Sequence, residues 1–279
     1  MPELPEVETA RRGLAELVEG KVLAKVVITW PRIIHTDQPL EEWAERLVGQ
    51  RIHHVNRRGK YLIFELDQDA LLSHLRMEGK YRYFSSDDQP EEVSVHVHVR
   101  FYFTDGSQLH YQDVRKFGRM ELLPLSEVDD FFIRKGLGPE PTEASFDLAT
   151  FSEGLNKHQK AIKLVLLDQK VVAGLGNIYV DEVLFRACVH PARPSNSLTQ
   201  AEVESLHQAI IVVMAEATAA GGTTIRTYEN TFGQPGHYQD YLQVYAKAGE
   251  ACPRCGSSIE KIKLGQRGTH FCPNCQVLL

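Results

Sequence analysis

No stretch of this 279-residue chain reaches the roughly 18 consecutive apolar residues needed to cross a bilayer. The first residues lack both the basic n-region and the apolar h-region of a secretory signal, which predicts a cytoplasmic protein. A net positive charge is missing as well. At a formal charge of -6 the chain as a whole does not attract nucleic acid, so any such surface has to be a local patch. Scattered cysteines are also absent: four of the five fall at Cys252, Cys255, Cys272 and Cys275, in two C-x-x-C pairs. Without a secretion signal that grouping excludes a disulfide framework and points to metal, while Cys188, between Ala187 and Val189, reads as a small buried hydrophobe. No internal repeat is detectable.

What is present describes a globular protein near the size at which chains divide into domains, with 43% hydrophobic and 24% charged residues. Basic charge is concentrated in two places. Residues 51–60 hold Arg51, Arg57, Arg58 and Lys60 with no acid, and from Lys247 onward five bases face two acids.

The pattern predicts a helix from Pro5 to Leu17, with Glu6 and Glu8 at its positive dipole end and Val7, Ala10, Leu14 and Leu17 on one face. Strand patterns follow. In "VSVHVHVRFYF" Val93, Val95, Val97, Val99, Phe101 and Phe103 alternate with polar residues, and with "YLIFEL" and "KFGRMELL" this predicts an antiparallel sandwich or barrel. Near residue 135 the character changes. "KGLGPEPTE" reads as a linker, and helices are expected over 146–155, 161–172, 179–185 and 199–220 before a Gly-containing loop leads to the cysteines. The division expected is 1–135 (β-sandwich), 136–150 (linker), 151–245 (helical) and 246–279 (ribbon). The fold class is thus α+β multidomain, with helices flanking the N-terminal sandwich.

The spacing C-x2-C-x16-C-x2-C fits a four-thiolate zinc ribbon, whose closed coordination makes the zinc structural. Between its knuckles "GQRGTHF" places Arg267 near a hairpin tip, where it reads as a solvated turn residue or a phosphate ligand. Gly174 and Gly176 precede a helix begun by Asn177, which suits either an anion or an ordinary cap. Lys60, His74 and Met77 read locally as a surface lysine, a hydrogen-bonded histidine and a core methionine, or as a site. Arg115 and Phe117, two apart, point to one side if extended and could wedge into stacked bases. Pro2, once Met1 is removed, is a secondary amine with an α-amino pKa of about 7.7 to 8.0, able to attack a sugar C1′ and form an iminium. Glu3 beside it is a proton donor. The plain alternative is that Pro-Glu-Leu-Pro only leads into a helix.

Taken in order, "PELPEVE", "RRGKYL", "SHLRMEGKY", "DVRKFG", "GLGNIYVDE", "LQVY" and "QRGTHFCPNC" resemble bacterial formamidopyrimidine-DNA glycosylase along essentially the whole chain. The resemblance implies a bifunctional DNA glycosylase and abasic-site lyase of base-excision repair, acting on 8-oxoguanine and formamidopyrimidines in double-stranded DNA. It implies a nucleoid-associated bacterial monomer with one structural zinc and no organic cofactor. Carried over by position, Pro2 is the nucleophile, Glu3 the general acid, Lys60 the β-elimination lysine and Arg267 the phosphate and δ-elimination arginine. Asn177 is the phosphate ligand of a helix-two-turns-helix motif. Met77, Arg115 and Phe117 fill the gap left by the everted base, and His74, His96 and Lys163 lie at the DNA face. Residues 223–241 match a loop that closes over that base. Two departures stand out: "NKHQKAIK" with Leu164 in place of a frequent proline, which bears on Lys160 and Lys163, and a terminal "QVLL". The alternatives are an endonuclease VIII-type enzyme for oxidised pyrimidines, which begins Pro-Glu-Gly-Pro and lacks the Met/Arg/Phe trio, and a non-catalytic zinc-ribbon DNA-binding protein.

Overall fold

The computed structural model describes residues 1–224 and 236–278. They form two compact units: Met1–Arg134 with the described residues of Gly221–Gly236, and Lys135–Ala220 with the residues from His237 onward.

The first unit opens with α1 (Leu4–Val18), one residue longer at each end than the pattern predicts. Pro5 lies in its first turn, where a missing N–H costs nothing, and Val7, Ala10, Leu14 and Val18 form its buried stripe. Next come β1 (Leu23–Ile28), α2 (Leu40–Leu47), β2 (His54–Arg58), β3 (Tyr61–Glu65), β4 (Asp69–His74), β5 (Lys80–Phe84), β6 (Val97–Phe103), β7 (Gln108–Gln112), β8 (Arg119–Pro124) and α3 (Val128–Lys135). The strands make two four-stranded sheets, β1-β6-β7-β5 and β2-β3-β4-β8, with every pairing antiparallel. Alternation explains the packing. Leu62, Phe64 and Leu71 from one sheet and Val99, Phe101, Leu109 and Tyr111 from the other share one core with Leu14, Trp43 and Leu47.

The alternating run from Val93 is only partly a strand. Val97 donates its N–H to Ser94 O (3.0 Å), closing a turn ahead of β6, and Val95 is 84% exposed. β6 thus begins four residues later than the pattern alone suggests.

In the second unit α4 (Leu148–Asn156) is capped by Asp147, whose carboxylate accepts the Thr150 N–H at 2.7 Å. α5 (Ile162–Leu167) is half the length expected over 161–172. It stops because Gln169 takes a left-handed φ of 70 and turns its amide onto the following loop, accepting from Gly174 N and donating to Leu175 O. That loop delivers α6 (Asn177–Arg186); α7 (Gln200–Ala219) then starts at a Thr199/Glu202 capping box. β9 (Glu260–Leu264) and β10 (Arg267–Phe271) form the terminal hairpin. Cys188 is exposed, not buried, because it occupies a left-handed position (φ 57) just past the end of α6. Among the described residues no helix is long and apolar enough to cross a membrane.

Leu14 is fully buried at the centre of the α1 stripe. Leu14→Ala should lower unfolding free energy by about 2–5 kcal/mol, read as a lower urea midpoint at unchanged slope.

Candidate functional site

The chain's first residues are packed, not trailing. Pro2 is buried, Glu3 is 2% exposed, and Glu3 is the N-cap of α1. Its N–H donates to Glu6 Oε2 at 2.7 Å, while Glu6 Oε1 accepts the N–H of Thr223 at 2.7 Å. Gly222, at φ +80, is required there: a Cβ would lie 2.6 Å from Glu6 Oε1. One carboxylate therefore holds both the arm and the segment entering the 223–241 loop. Most of that loop, residues 225–235, lies outside the described residues; Gly236 donates to Thr224 Oγ1 at 2.9 Å at its far end.

Lys60 and Gly59 make the turn from β2 to β3, with Gly59 at φ 56. At 6% exposure Lys60 is not a solvated surface lysine. Arg57 braces the turn by donating to Gly59 O (2.8 Å) and to Glu8 Oε2 (3.2 Å), so part of the basic run 51–60 is neutralised locally. His74, at the end of β4, is buried with its edge on the Tyr61 ring (4.7 Å between centroids). Its Nδ1 accepts the Arg76 N–H at 3.0 Å, which leaves the proton on Nε2. Burial, reinforced by the charges of Arg76 and Lys60, pushes its pKa down to about 3. His74 is thus a neutral donor at physiological pH. His96 sits half-buried in the turn before β6, its carbonyl accepting the Asp113 N–H (2.9 Å).

Met77 is half-buried in the connection from β4 to β5, and Arg115 and Phe117 are exposed in that from β7 to β8. The Arg115 guanidinium lies 4.8 Å from the centre of the Phe117 ring. They share a side for a reason other than the extended geometry expected: Lys116 at φ 59 doubles the chain back between them.

In the second unit Arg267 is exposed at the start of β10. Gly265 (φ 52) and Gln266 (φ 64) form the two-residue turn before it, and two consecutive positive φ values mark the type I′ hairpin. The next residue is clasped from behind. Gly268 O accepts from Asn177 Nδ2 and from Lys163 Nζ, both at 3.0 Å. Lys163 is fully buried and also pairs with Asp181 at 2.7 Å, while Asp181 Oδ2 accepts the His270 N–H at 2.9 Å. This corrects the placement of Lys163 at the DNA face: its ammonium has no exposed surface and is committed to α6 and the hairpin. Asp181 and Glu182, which accepts the N–H groups of Gln243, Val244 and Tyr245, were missed by sequence reasoning, since neither spacing nor charge marks them.

The four cysteine sulfurs lie within 4.8 Å of one another, with Cys252···Cys275 at 3.9 Å and Cys255···Cys272 at 3.5 Å. Tetrahedral zinc with Zn–S near 2.3 Å requires sulfurs about 3.8 Å apart, so the donor set fits zinc and leaves no open position. Cys252 and Cys272 also belong to a small core with Phe185, Val244 and Ile259. The ribbon is thereby seated on α6.

Family models match most of the chain: the formamidopyrimidine-DNA glycosylase N-terminal domain over residues 1–120, its H2TH domain over 137–229, and a zinc finger found in FPG and IleRS over 249–277. A formamidopyrimidine-DNA glycosylase of Enterococcus faecalis is 55% identical over 278 residues, covering 100% of this chain and 98% of that protein. One from Streptococcus pneumoniae is 57% identical over 276 residues, 99% of each. Among solved structures, Lactococcus lactis Fpg in complex with an abasic site containing DNA shares 48% identity at a TM-score of 0.91 over 99% of both chains. A mutant of that protein with a Fapy-dG containing DNA has a TM-score of 0.92, again at 48% identity, over 99% of this chain and 100% of that one.

Two measurements check the geometry. Because the native pKa of His74 is depressed, stability is full above the unfolded value near 6.5 and declines as pH falls toward 3. His74→Gln should flatten that decline by up to about 1.4 kcal/mol per pH unit in urea titrations between pH 6.5 and 4. Lys163→Ala, which strands a buried carboxylate, should cost about 3–5 kcal/mol while zinc content by atomic emission stays at one per chain.

Proposed function

We propose a mechanism from one premise: the chain belongs to the formamidopyrimidine-DNA glycosylase family. It is a DNA glycosylase and abasic-site lyase of base-excision repair that acts on oxidised purines in double-stranded DNA and holds one structural zinc through Cys252, Cys255, Cys272 and Cys275. The observation that supports the residue assignments best is the buried Pro2-Glu3 pair, fixed by Glu6 at the head of α1.

After removal of Met1, the Pro2 nitrogen attacks the sugar C1′, the damaged base leaves with the bond electrons and the nitrogen sheds its proton; breaking of the C1′–O4′ bond then gives the iminium. Glu3 supplies a proton to the opening sugar ring. The iminium then acidifies the C2′ proton, whose loss expels the 3′-phosphate; a second elimination expels the 5′-phosphate and leaves a one-nucleotide gap. Lys60 assists the first elimination and Arg267 the second, each through a phosphate. Met77 and Phe117 fill the vacated stack while Arg115 faces the orphaned cytosine. His74, donating from Nε2, and His96 face the DNA, and Asn177 binds a phosphate at the start of α6. Residues 223–241 cover the everted base. Lys163 supports the hairpin, not the DNA. The enzyme works in the cytoplasm at the nucleoid, and the four segments 1–135, 136–150, 151–245 and 246–279 serve as catalytic sandwich, linker, helical DNA-binding part and ribbon.

Leu4, where an endonuclease VIII-type chain has glycine, and the stacked Arg115–Phe117 pair favour the purine enzyme over that relative.

Borohydride added during reaction with 8-oxoguanine DNA should trap a covalent complex with the demethionylated protein. Trapping of Pro2→Gly at the normal level would refute the proline assignment. For the ribbon, Arg267→Ala should keep zinc and stop after the first elimination, whereas Cys272→Ala should lose both zinc and the second elimination; equal zinc loss in the two variants would refute that separation.

A further inference from the structure

The connections that carry Met77 and Arg115–Phe117 leave different strands, β4 and β7, yet both close over one side chain. Tyr111, fully buried on β7, is paired across the sheet with Tyr81 on one side and Val99 on the other. A Cβ built on Gly79 or on Gly118 would overlap the Tyr111 hydroxyl. The phenol oxygen therefore lies directly against the backbone of both connections, and each must carry glycine at that point. The ring itself is fixed by Tyr81, 5.2 Å away between centroids, whose own hydroxyl donates to Ser73 Oγ at 2.8 Å. Burial, with the Asp113 carboxylate adding to it, holds the Tyr111 phenol far above its ordinary pKa, so the spacer stays neutral.

Asp113, two residues on and fully buried, shapes the second connection. Its Oδ1 accepts the N–H of Arg115 at 3.0 Å, and its Oδ2 accepts those of Phe117 and Gly118, each at 2.8 Å. Its backbone carbonyl faces His98 Nε2 at 2.8 Å and its N–H donates to His96 O at 2.9 Å, which fixes the main chain that carries the carboxylate. Three backbone donors converging on one carboxylate hold Lys116 in its left-handed conformation and stack Arg115 on Phe117.

We propose that Tyr111 and Asp113 are positioning residues for base eversion. Tyr111 sets the spacing between the Met77 connection and the Arg115–Phe117 connection, and Asp113 sets the shape of the latter. Together they give the three side chains the outline of the gap left in duplex DNA by one everted base. The proposal rests on the reading of Met77, Arg115 and Phe117 as the gap-filling trio.

Asp113→Asn tests it with little change in volume, because an amide nitrogen placed toward the Phe117 and Gly118 N–H groups repels what the carboxylate gathered. Three quantities are compared with the unaltered protein: single-turnover excision of 8-oxoguanine opposite cytosine, strand cleavage at a preformed abasic site, and melting temperature. Excision should fall about 10- to 100-fold, as expected for misplaced groups. Cleavage at the abasic site should stay within about threefold, since no base remains to be everted. Tyr111→Phe, which keeps the ring and removes only the spacer oxygen, should show the same split at smaller amplitude and carries the test should Asp113→Asn not fold. Equal losses in the two reactions, or no loss in either, would overturn the proposal. Phe117→Ala separates it from its premise. Full excision by that variant refutes the trio itself, whereas loss there without loss in Asp113→Asn and Tyr111→Phe refutes only the positioning role.

Discussion

A buried carboxylate with two backbone donors, Glu6, is the constraint on which the N-terminal end of the first unit depends. Its two oxygens take N–H groups 220 positions apart in the chain, those of Glu3 and Thr223. An N-terminal arm of three residues would ordinarily fray, because so short a segment cannot bury enough surface to offset its own entropy. Here the arm continues directly into α1, whose apolar stripe is anchored in the sandwich core, and Glu6 reaches back from the first turn to lock it. The rigidity of this arm is thus borrowed from packing behind it.

A different solution operates in the second unit, where the exposed group is an arginine on a hairpin of few residues. Two strands alone are marginal in water, and metal coordination fixes only their base. The free end is held by a buried lattice: Lys163 with Asp181, both with the hairpin backbone at Gly268 and His270, and Asn177 on the same carbonyl. Buried ion pairs add little net stability, because desolvation offsets the attraction, but they tolerate one arrangement only. Arg267 can therefore be exposed and still be aimed, since the backbone of the residue after it is held by Lys163 and Asn177.

The parts of this architecture that were legible in the sequence are those written as periodicity or spacing. The α1 stripe, the capped α7 and the four cysteines each depend on contacts within a short window, and each appears where the pattern places it. The departures arise where a single residue outside the pattern decides. Val93 and Val95 keep the alternation, yet the Ser94 carbonyl closes a turn beneath them; Gln169 ends α5 by adopting a left-handed conformation that its neighbours do not signal. Lys163 shows the limit most clearly. The resemblance puts Lys163 at the DNA face, and only the fold reveals the aspartate eighteen residues away that pairs with it. Asp113 belongs to the same class: its three partners are local, but nothing in "DVRKFG" says that the carboxylate points inward.

The turn of the terminal hairpin carries one more consequence. A Cβ at Gly265 would press on the side chain of Leu164, and Gln276 reaches from the last knuckle to Val189 O while accepting the Cys272 N–H. A zinc finger is usually regarded as an interchangeable cassette, and the match to a finger shared with another protein class encourages that view. In this chain the metal knuckles are portable but their seat is not. The ribbon is held to α5 and α6 by side-chain packing and hydrogen bonds as well as by its ion, so the ribbon and residues 161–189 behave as one packing unit.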